Sequence, residues 1–520
     1  MQNDTVFDQA EIIAFLADPS TYGGGVANVE RIDTHASVVF LAGARAFKLK
    51  RAVRYPFLDY STLELRRHYC EREVAINRRT APALYEGVVP VVLGQDGRLA
   101  LGGTGTAVDY LVTMQRFDDA GLFSHLAETG GLDVDLIVQA VDEVIALHSA
   151  AEVVQPGEPS GGGAAGLYPT IANNAAELTA YSDLFGADRV ADYTAAVEVA
   201  FARATDLLDR RAATGFVRHC HGDLHLANIC LFEGRPTLFD AIEFSEAFAC
   251  IDTLYDFAFL LMDLDVRGLG PLANRAFNRY MARNSDGAAS IAGVAALPLF
   301  MSVRAAIRAI VSALTAAKLD QCAAAAARDT ARDYLSAARR YLEPSRPRLM
   351  AVGGASGTGK SAVALALAPD IGGSPGALVL RTDEIRKQLA GLRDTETLPP
   401  SAYTAEHHAA VYQEMQARAA ASLAAGRSCI LDAVHGRPAE RLQARQVAER
   451  YGAAFTGVWL EASEERLFER VTSRQNDPSD AGAEVVRRQL AAGFGAIDWL
   501  RVDADQPLDR VVGAIRGAKS

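Results

Sequence analysis

From about residue 26 to 117 the apolar pattern is that of strands, over Val29–Ile32, Val38–Leu41, Ala46–Lys50, Leu99–Gly102 and Tyr110–Phe117. Gly43 and the Asp96-Gly97 pair supply turns between them, and one helix, roughly Thr62 to Arg79, interrupts the series. From about 131 to 342 apolar residues recur at three and four spacing, which predicts helices, including an Ala-rich one within Ala305–Tyr341. Two short strands, Ile229–Phe232 and Thr237–Phe239, flank Glu233-Gly234-Arg235 and predict a hairpin set among those helices. Beyond a linker bracketed by Pro344 and Pro347, strand and helix alternate: Leu349–Val352, Ala377–Leu380, Cys429–Leu431 and Phe455–Leu460 are the strands. Such alternation predicts a parallel sheet with helices on both faces. The expectation is therefore two domains, 1–345 of α+β character and 346–520 of α/β character.

Composition narrows this picture without redirecting it. A chain of 520 residues exceeds a single core, and 50% hydrophobic with 22% charged residues describes a folded soluble protein. The net charge of −12 argues against a nucleic-acid or anionic-lipid partner held by bulk electrostatics. Six scattered cysteines without a C-x-x-C pair, and an N-terminus lacking an apolar signal core, lead us to expect reduced thiols and a cytoplasmic location. The most apolar stretch, Leu254–Leu264, is short and interrupted by Asp256 and Asp263, so no membrane span is expected there.

The first chemical signal is Gly354-Ala355-Ser356-Gly357-Thr358-Gly359-Lys360-Ser361. Glycines let backbone N–H groups of such a P-loop turn inward around phosphate oxygens. Lys360 then reaches the β- and γ-phosphates of a nucleoside triphosphate, and the Ser361 hydroxyl is offered to Mg²⁺. The next strand ends at Asp383, placed to orient or deprotonate an acceptor hydroxyl, with Arg386 one turn on to grip the acceptor or a phosphate. Asp432 ends the following strand and could hold Mg²⁺ through water, although a lone strand-end Asp serves as often as a helix cap. Arg470 and Arg474 lie four apart on a helix that could close over ATP; a solvated charged face has the same spacing. Together with Thr382-Asp383-Glu384-Ile385-Arg386 and Leu431-Asp432-Ala433, these motifs resemble the small P-loop kinases, a family that includes gluconate kinase, polynucleotide kinase and zeta-toxin-like proteins. The resemblance covers about 348–515. It implies Asp383 as general base and Arg470 and Arg474 as lid arginines.

The second signal is His221-Gly222-Asp223-Leu224-His225-Leu226-Ala227-Asn228, with Asp240 twelve residues beyond. An Asp on a tight loop can accept a hydroxyl proton, an Asn five residues on can ligate Mg²⁺, and a further Asp can chelate the metal that bridges nucleotide phosphates. This set resembles the aminoglycoside phosphotransferases, of bilobal protein-kinase-like fold, over roughly 25–340. The resemblance implies a small lobe at about 25–117, a helical lobe at about 118–342, Asp223 as catalytic base, and Asn228 and Asp240 as metal ligands. It places one of Lys50 and Lys48 on the α/β-phosphates, Lys50 fitting the aromatic-x-apolar-Lys pattern slightly better. Glu73 is then the ion-pair partner, and Met114–Phe117, with Gln115, the hinge that meets adenine. One departure stands out: the turn that should cover the phosphates, Thr34-His35-Ala36-Ser37, contains no glycine.

The expected function is a bifunctional kinase that uses ATP and Mg²⁺ to phosphorylate hydroxyls of sugars, amino sugars or aminocyclitols. Glu243 and Glu246 are candidates for attracting a cationic acceptor. Two rivals remain: one site that binds nucleotide without catalysis, motivated by the missing glycine turn, and a polynucleotide 5′-hydroxyl kinase or zeta-toxin-like activity in the P-loop half. The sequence leaves the oligomeric state open.

Overall fold

The computed structural model describes residues 9–55, 58–155, 161–283, 287–392, 396–399, 402, 404–473 and 482–518. The chain divides into two compact units. One holds the residues up to Pro169 together with Leu208–Leu260, the other Thr170–Leu207 together with everything from Leu261.

The first unit is built on an antiparallel sheet whose alternating residues fill two different cores. Strands β1 (Val29–Asp33), β2 (Ser37–Ala42) and β3 (Arg45–Lys50) follow one another, and short segments β4 (Arg54–Tyr55) and β5 (Leu58–Asp59) pair beside them. After the helix Leu63–Asn77 come β6 (Tyr85–Leu93), β7 (Leu99–Leu101) and β8 (Thr106–Gln115), giving the order β1-β2-β3-β8-β6-β7. One face (Val38, Phe40, Phe47, Leu49, Leu111) buries Ile12 and Leu16 of an unforeseen helix, Gln9–Ala17. The other packs Tyr85 and Val112 against Cys70 and Val74 of Leu63–Asn77. That helix starts where a hydroxyl is available, the Thr62 side chain accepting the Leu65 N–H at 3.2 Å. Strand β6 was not foreseen, because Gly87 and Pro90 break its strand signal; its pairing with β8 is irregular between Tyr85 and Gly87.

Farther along the same unit, the helix Val134–Ala150 buries Ile137, Val141, Val144 and Leu147. Strands β9 (Val217–His219) and β12 (Cys250–Asp252) pair on either side of the hairpin β10 (Ile229–Phe232) and β11 (Arg235–Leu238). Phe232 faces Arg235, so the turn is the two-residue Glu233-Gly234, shorter than the three residues expected. Both take positive φ, 50° and 75°, the twist that a two-residue hairpin demands.

In the second unit the helices Leu297–Ala316 and Gln321–Tyr341 pack together, Ser302 donating to the Ala338 carbonyl at 2.8 Å. The stretch Ser290–Ala316 is long and apolar enough to cross a membrane, yet 72% of its most apolar window is buried in protein. Strands β13 (Arg348–Gly353), β14 (Leu378–Arg381), β15 (Cys429–Asp432), β16 (Ala454–Glu461) and β17 (Leu500–Asp503) are all parallel, ordered β14-β15-β13-β16-β17. Their apolar side chains (Val352, Ile430, Val458, Leu460) meet Val363, Leu367, Val512 and Ile515 from flanking helices. The chain leaves central β13 and next forms edge strand β14, so a crevice opens at the carboxyl ends of the strands. The free edge of β14 is satisfied by two buried asparagines of the helix Gly270–Arg283. Asn278 accepts the Val379 N–H at 2.6 Å, and Asn274 and Asn278 each donate to the Ala377 carbonyl at 3.1 Å.

Candidate active sites

In the first unit, β3 directs Lys48 and Lys50 to one face, and Glu73 of the Leu63–Asn77 helix meets both. Lys48 Nζ lies 2.9 Å from Glu73 and 2.5 Å from Asp240, while Lys50 Nζ lies 2.5 Å from the other Glu73 oxygen and bonds Glu243. The two lysines therefore part company. Lys48 reaches the Asp240 carboxylate, which is 41% exposed; Lys50 is sealed inside, with Tyr60 at 3.3 Å. Burial alone would raise the Glu73 carboxyl, but the two ammonium groups override it and hold it down at about 2. Burial likewise opposes charge on Lys50, and Glu243 and Glu73 outweigh it, leaving its pKa above the ordinary lysine value.

The loop that carries Asp223 is braced from beneath. Asp256, fully buried, accepts the His221 and Gly222 N–H groups at 3.1 and 2.8 Å and meets His148 Nε2 at 3.0 Å. His221 bonds the Phe239 carbonyl at 2.9 Å, and burial lowers its pKa, so it braces the loop as a neutral ring. Asn228 donates its amide to the Asp223 carboxylate at 3.0 Å, and His225 Nε2 stands 3.3 Å from the same carboxylate. Asp240 sits at φ 60°, outside the range most residues prefer, and is held there because its N–H is taken by Tyr85 Oη at 3.2 Å and its neighbour's by Asn77 at 2.8 Å. Gln115 ends β8 opposite Arg45, at the sheet margin.

Glu243 requires correction as an acceptor-facing acid, whereas the Glu246 side chain stays 42% exposed. Glu243 is buried and committed to Lys50 and to Tyr60 Oη at 2.5 Å, because a buried ammonium needs a second counter-charge. Glu246 bonds Arg72 and accepts from Cys250 Sγ at 3.1 Å. Asp256, His148 and Tyr85 are the functional supports that sequence reasoning passed over. Asp256 gave a signal, an acid inside an apolar run.

In the second unit the loop after β13 curls as its glycines allow, with Gly354, Gly357 and Gly359 at φ 142°, 93° and 87°. A Cβ on Gly354 would lie 2.6 Å from the Leu460 carbonyl, and one on Gly357 2.8 Å from that of Leu467. Lys360 opens the helix Lys360–Leu367 and donates to the Ala355 carbonyl at 3.0 Å, spanning the loop it closes. Thr358 donates to the same carbonyl at 2.9 Å. The Ser356 N–H is met by Gln489 Oε1 at 2.8 Å, a side-chain oxygen standing in the turn of the cradle. Ser361 donates to Asp432 at 2.6 Å, and Arg381, which sequence reasoning left without a role, reaches both Ser361 (3.0 Å) and Asp432 (3.3 Å). Arg470 lies against the loop, 3.4 Å from the Gly357 and Thr358 carbonyls. Arg474 lies outside the described residues. A cavity of about 190 Å³ runs along Gly357, Gly359, Lys360, Ser361, Asp383 and Asp432. Arg386 lines an adjoining pocket with Asp383 and donates to the Ala402 carbonyl at 3.0 Å.

Both sets present hard oxygen donors, the Asp240 carboxylate with the Asn228 amide, and the Ser361 hydroxyl with Asp432, which is the donor chemistry Mg²⁺ takes. All six cysteines are free thiols, so the fold owes nothing to disulfides.

Residues 349–493 match a family model described as an AAA domain. The chain is 31% identical over 492 residues to the uncharacterized protein Rv2004c of Mycobacterium tuberculosis, spanning 92% of this chain and 93% of that one; Mb2027c of Mycobacterium bovis matches equally. Among solved structures, a gluconokinase from Sinorhizobium meliloti is 23% identical over 33% of this chain and 94% of its own (TM-score 0.23). A choline/ethanolamine kinase family protein from Mesorhizobium loti is 15% identical over 64% and 99% (TM-score 0.35). The Mycobacterium tuberculosis APS kinase CysC is 19% identical over 34% and 99% (TM-score 0.25). Residues 349–493, with the glycine-rich loop after β13 and the five-stranded parallel sheet, thus form a P-loop domain, joined in one chain to the antiparallel sheet and the Asp223 loop of the first unit.

Proposed function

The chain belongs to the family of these mycobacterial proteins, and for it we propose ATP-dependent phosphoryl transfer to hydroxyls of small molecules at two separate sites. One observation carries this reading: in each unit a residue of the phosphate cradle touches a metal-side carboxylate, Lys48 on Asp240 at 2.5 Å and the metal-side hydroxyl of Ser361, at the end of the P-loop, on Asp432 at 2.6 Å. Each pair is complete without help from the other unit. Asp240 with Asn228 in one site, and Ser361 with Asp432 in the other, would hold Mg²⁺, which would supply positive charge against that building on the nucleotide phosphates. In the first site Lys48 grips phosphate and Asp223 takes the acceptor proton. In the second, the loop amides and Lys360 hold the triphosphate while Asp383 faces the acceptor. We assign these activities to an aminoglycoside-phosphotransferase-like part, 1–345, and a P-loop kinase part, 346–520. Sugars, amino sugars and aminocyclitols are the acceptors we propose for the first site.

The test is acceptor-dependent ADP release by the full chain over such a panel, with Asp223→Ala, Lys360→Ala and the double variant. Each single change should remove turnover of its own acceptors, and the double change all of it; unchanged turnover in both singles defeats the proposal. A second reading is favoured by the turn between β1 and β2, closed tightly by Thr34 N–H to the Ser37 carbonyl at 2.9 Å with no glycine. Under it the first site binds nucleotide as a regulator, and Asp223→Ala leaves every turnover intact.

A further inference from the structure

Beside the phosphate cradle of the P-loop unit lies a larger pocket of about 440 Å³ that shares Ser356, Thr382, Asp383 and Val434 with the nucleotide cavity. The shared residues mark the end where phosphate and acceptor would meet. The rest of the wall combines apolar surface (Phe494, the Tyr412 ring) with an excess of guanidinium groups: Arg386, Arg437 and Arg488 against the acids Asp383 and Glu440. Glu440 is already engaged, by His408 Nε2 at 2.8 Å and the Arg437 N–H at 3.2 Å. Arg437 stands loosely from it, 3.9 Å away with its side chain 67% exposed. Arg488 pairs with no acid among the described residues, whereas its neighbour Arg487 is bound to Glu484. A pocket with a carboxylate at the reacting end and guanidinium groups elsewhere suits a ligand that carries a hydroxyl at one end and an anionic group at the other.

We propose that this pocket takes a small hydroxyl acceptor carrying its own anionic group, a carboxylate or a phosphate monoester, held by Arg488 and Arg437 while the hydroxyl faces Asp383. The proposal rests on the kinase reading above. In the step, the acceptor oxygen forms a bond to the γ-phosphorus as the bond from that phosphorus to the β,γ-bridging oxygen breaks. ADP leaves with the electron pair, and the acceptor proton passes to the Asp383 carboxylate and then to solvent. The guanidinium groups take no part in bond making; they decide which molecule presents its hydroxyl. Paired guanidinium–anion bonds are short and directional, which makes such an arm selective for charge and for reach.

The experiment uses the full chain with the first site silenced by Asp223→Ala and compares matched probes: glucose against glucuronate and glucose 6-phosphate, glycerol against glycerate, and a single-stranded oligonucleotide with a 5′-hydroxyl end. Two readouts run together, ADP release and the shift in thermal midpoint that each probe causes with a non-hydrolysable ATP analogue present. The anionic probes should exceed their neutral partners by about tenfold or more in KM or in midpoint response. Arg488→Gln and Arg437→Gln should each remove about tenfold of that preference while leaving KM for ATP unchanged. Equal response to neutral and anionic probes, anion preference that survives both substitutions, or a response confined to the oligonucleotide overturns the proposal. An anion-specific midpoint shift lost in Arg488→Gln, without ADP release from any probe, sustains the pocket and defeats the kinase reading instead.

Discussion

The two proposed phosphate sites would solve one electrostatic problem with different materials. In the P-loop unit the cradle is main chain: eight consecutive residues, three of them glycines at positive φ, curl so that Lys360 closes the loop on the Ala355 carbonyl. In the other unit it is side chain: Lys48, Glu73, Asp223, Asn228 and Asp240 arrive from segments up to 192 residues apart, Lys48 joining the Glu73 and Asp240 carboxylates and Asn228 meeting that of Asp223. A main-chain cradle tolerates charge change around it but not an added Cβ. A side-chain cradle is the reverse, indifferent to backbone freedom in its covering turn and sensitive to any single charge. Each can be attacked at the point where the other is robust.

The sharpest contrast lies within the side-chain site, between its two lysines. Lys48→Met should lower first-site turnover by about 10²–10³-fold, since a charge aimed at phosphate is lost where charge develops. Lys50→Met should act on the fold: Glu73 and Glu243 stay buried with one cation fewer, and removing one partner of a buried pair costs about 3–5 kcal/mol. Denaturant unfolding and steady-state kinetics on both variants separate these outcomes. If Lys50→Met is stable and inactive while Lys48→Met is active, the assignment of the phosphate lysine is reversed.

That pair also marks how far the sequence could be read. The P-loop was legible because its cause is local; glycine spacing, lysine and following helix all lie within one short stretch. The parallel sheet was legible for the same reason, strand and helix alternating along the chain. Lys48 and Lys50 lie two apart on one strand, so nothing local distinguishes them; the choice is made by Asp240 and Glu243, which follow the hairpin β10–β11 and lie 192 and 193 residues away in sequence. Asp256 looked like an interruption in an apolar run, and only the fold shows it beneath the His221 and Gly222 amides. Strand β6 was hidden because Gly87 and Pro90 weaken the strand signal, although an irregular pairing accommodates them. Glu243 was misread because a strand-following acid looks exposed until a buried cation is found to claim it.

Acid should separate the two regions by pH window. His435, buried in the P-loop unit, is lowered to about 4 by its removal from water, so its neutral form contributes stability that is complete above about 6.5 and lost as pH falls toward 4. That difference is worth about 3 kcal/mol across the window. Glu73 in the other unit keeps its charge to about 2, and its contribution is lost only as pH falls from the ordinary carboxyl value near 4.5. Unfolding midpoints measured between pH 7 and 4.5 should therefore fall in the wild type and fall less in His435→Asn, whose smaller amide also suits the positive φ of 49° there. Equal pH dependence in the two proteins would remove His435 from this account.

Glycine itself gives the finest test. Gly359 has room for a methyl group, the nearest atom being Arg470 Nη1 at 3.9 Å, so Gly359→Ala tests backbone conformation alone at φ 87°. The left-handed penalty of about 1–2 kcal/mol predicts about a tenfold loss of nucleotide affinity at the second site. The mirror experiment adds a glycine where the side-chain site lacks one. Ala36→Gly loosens a turn already closed by Thr34 and Ser37 and touches none of the charges that grip phosphate, so KM for ATP at the first site should move by less than about twofold. A gain of about tenfold would mean that main-chain freedom, not charge, limits nucleotide grip there. The two sites would then differ in degree, and the nucleotide-gated reading of the first unit would gain the support that its missing glycine first suggested.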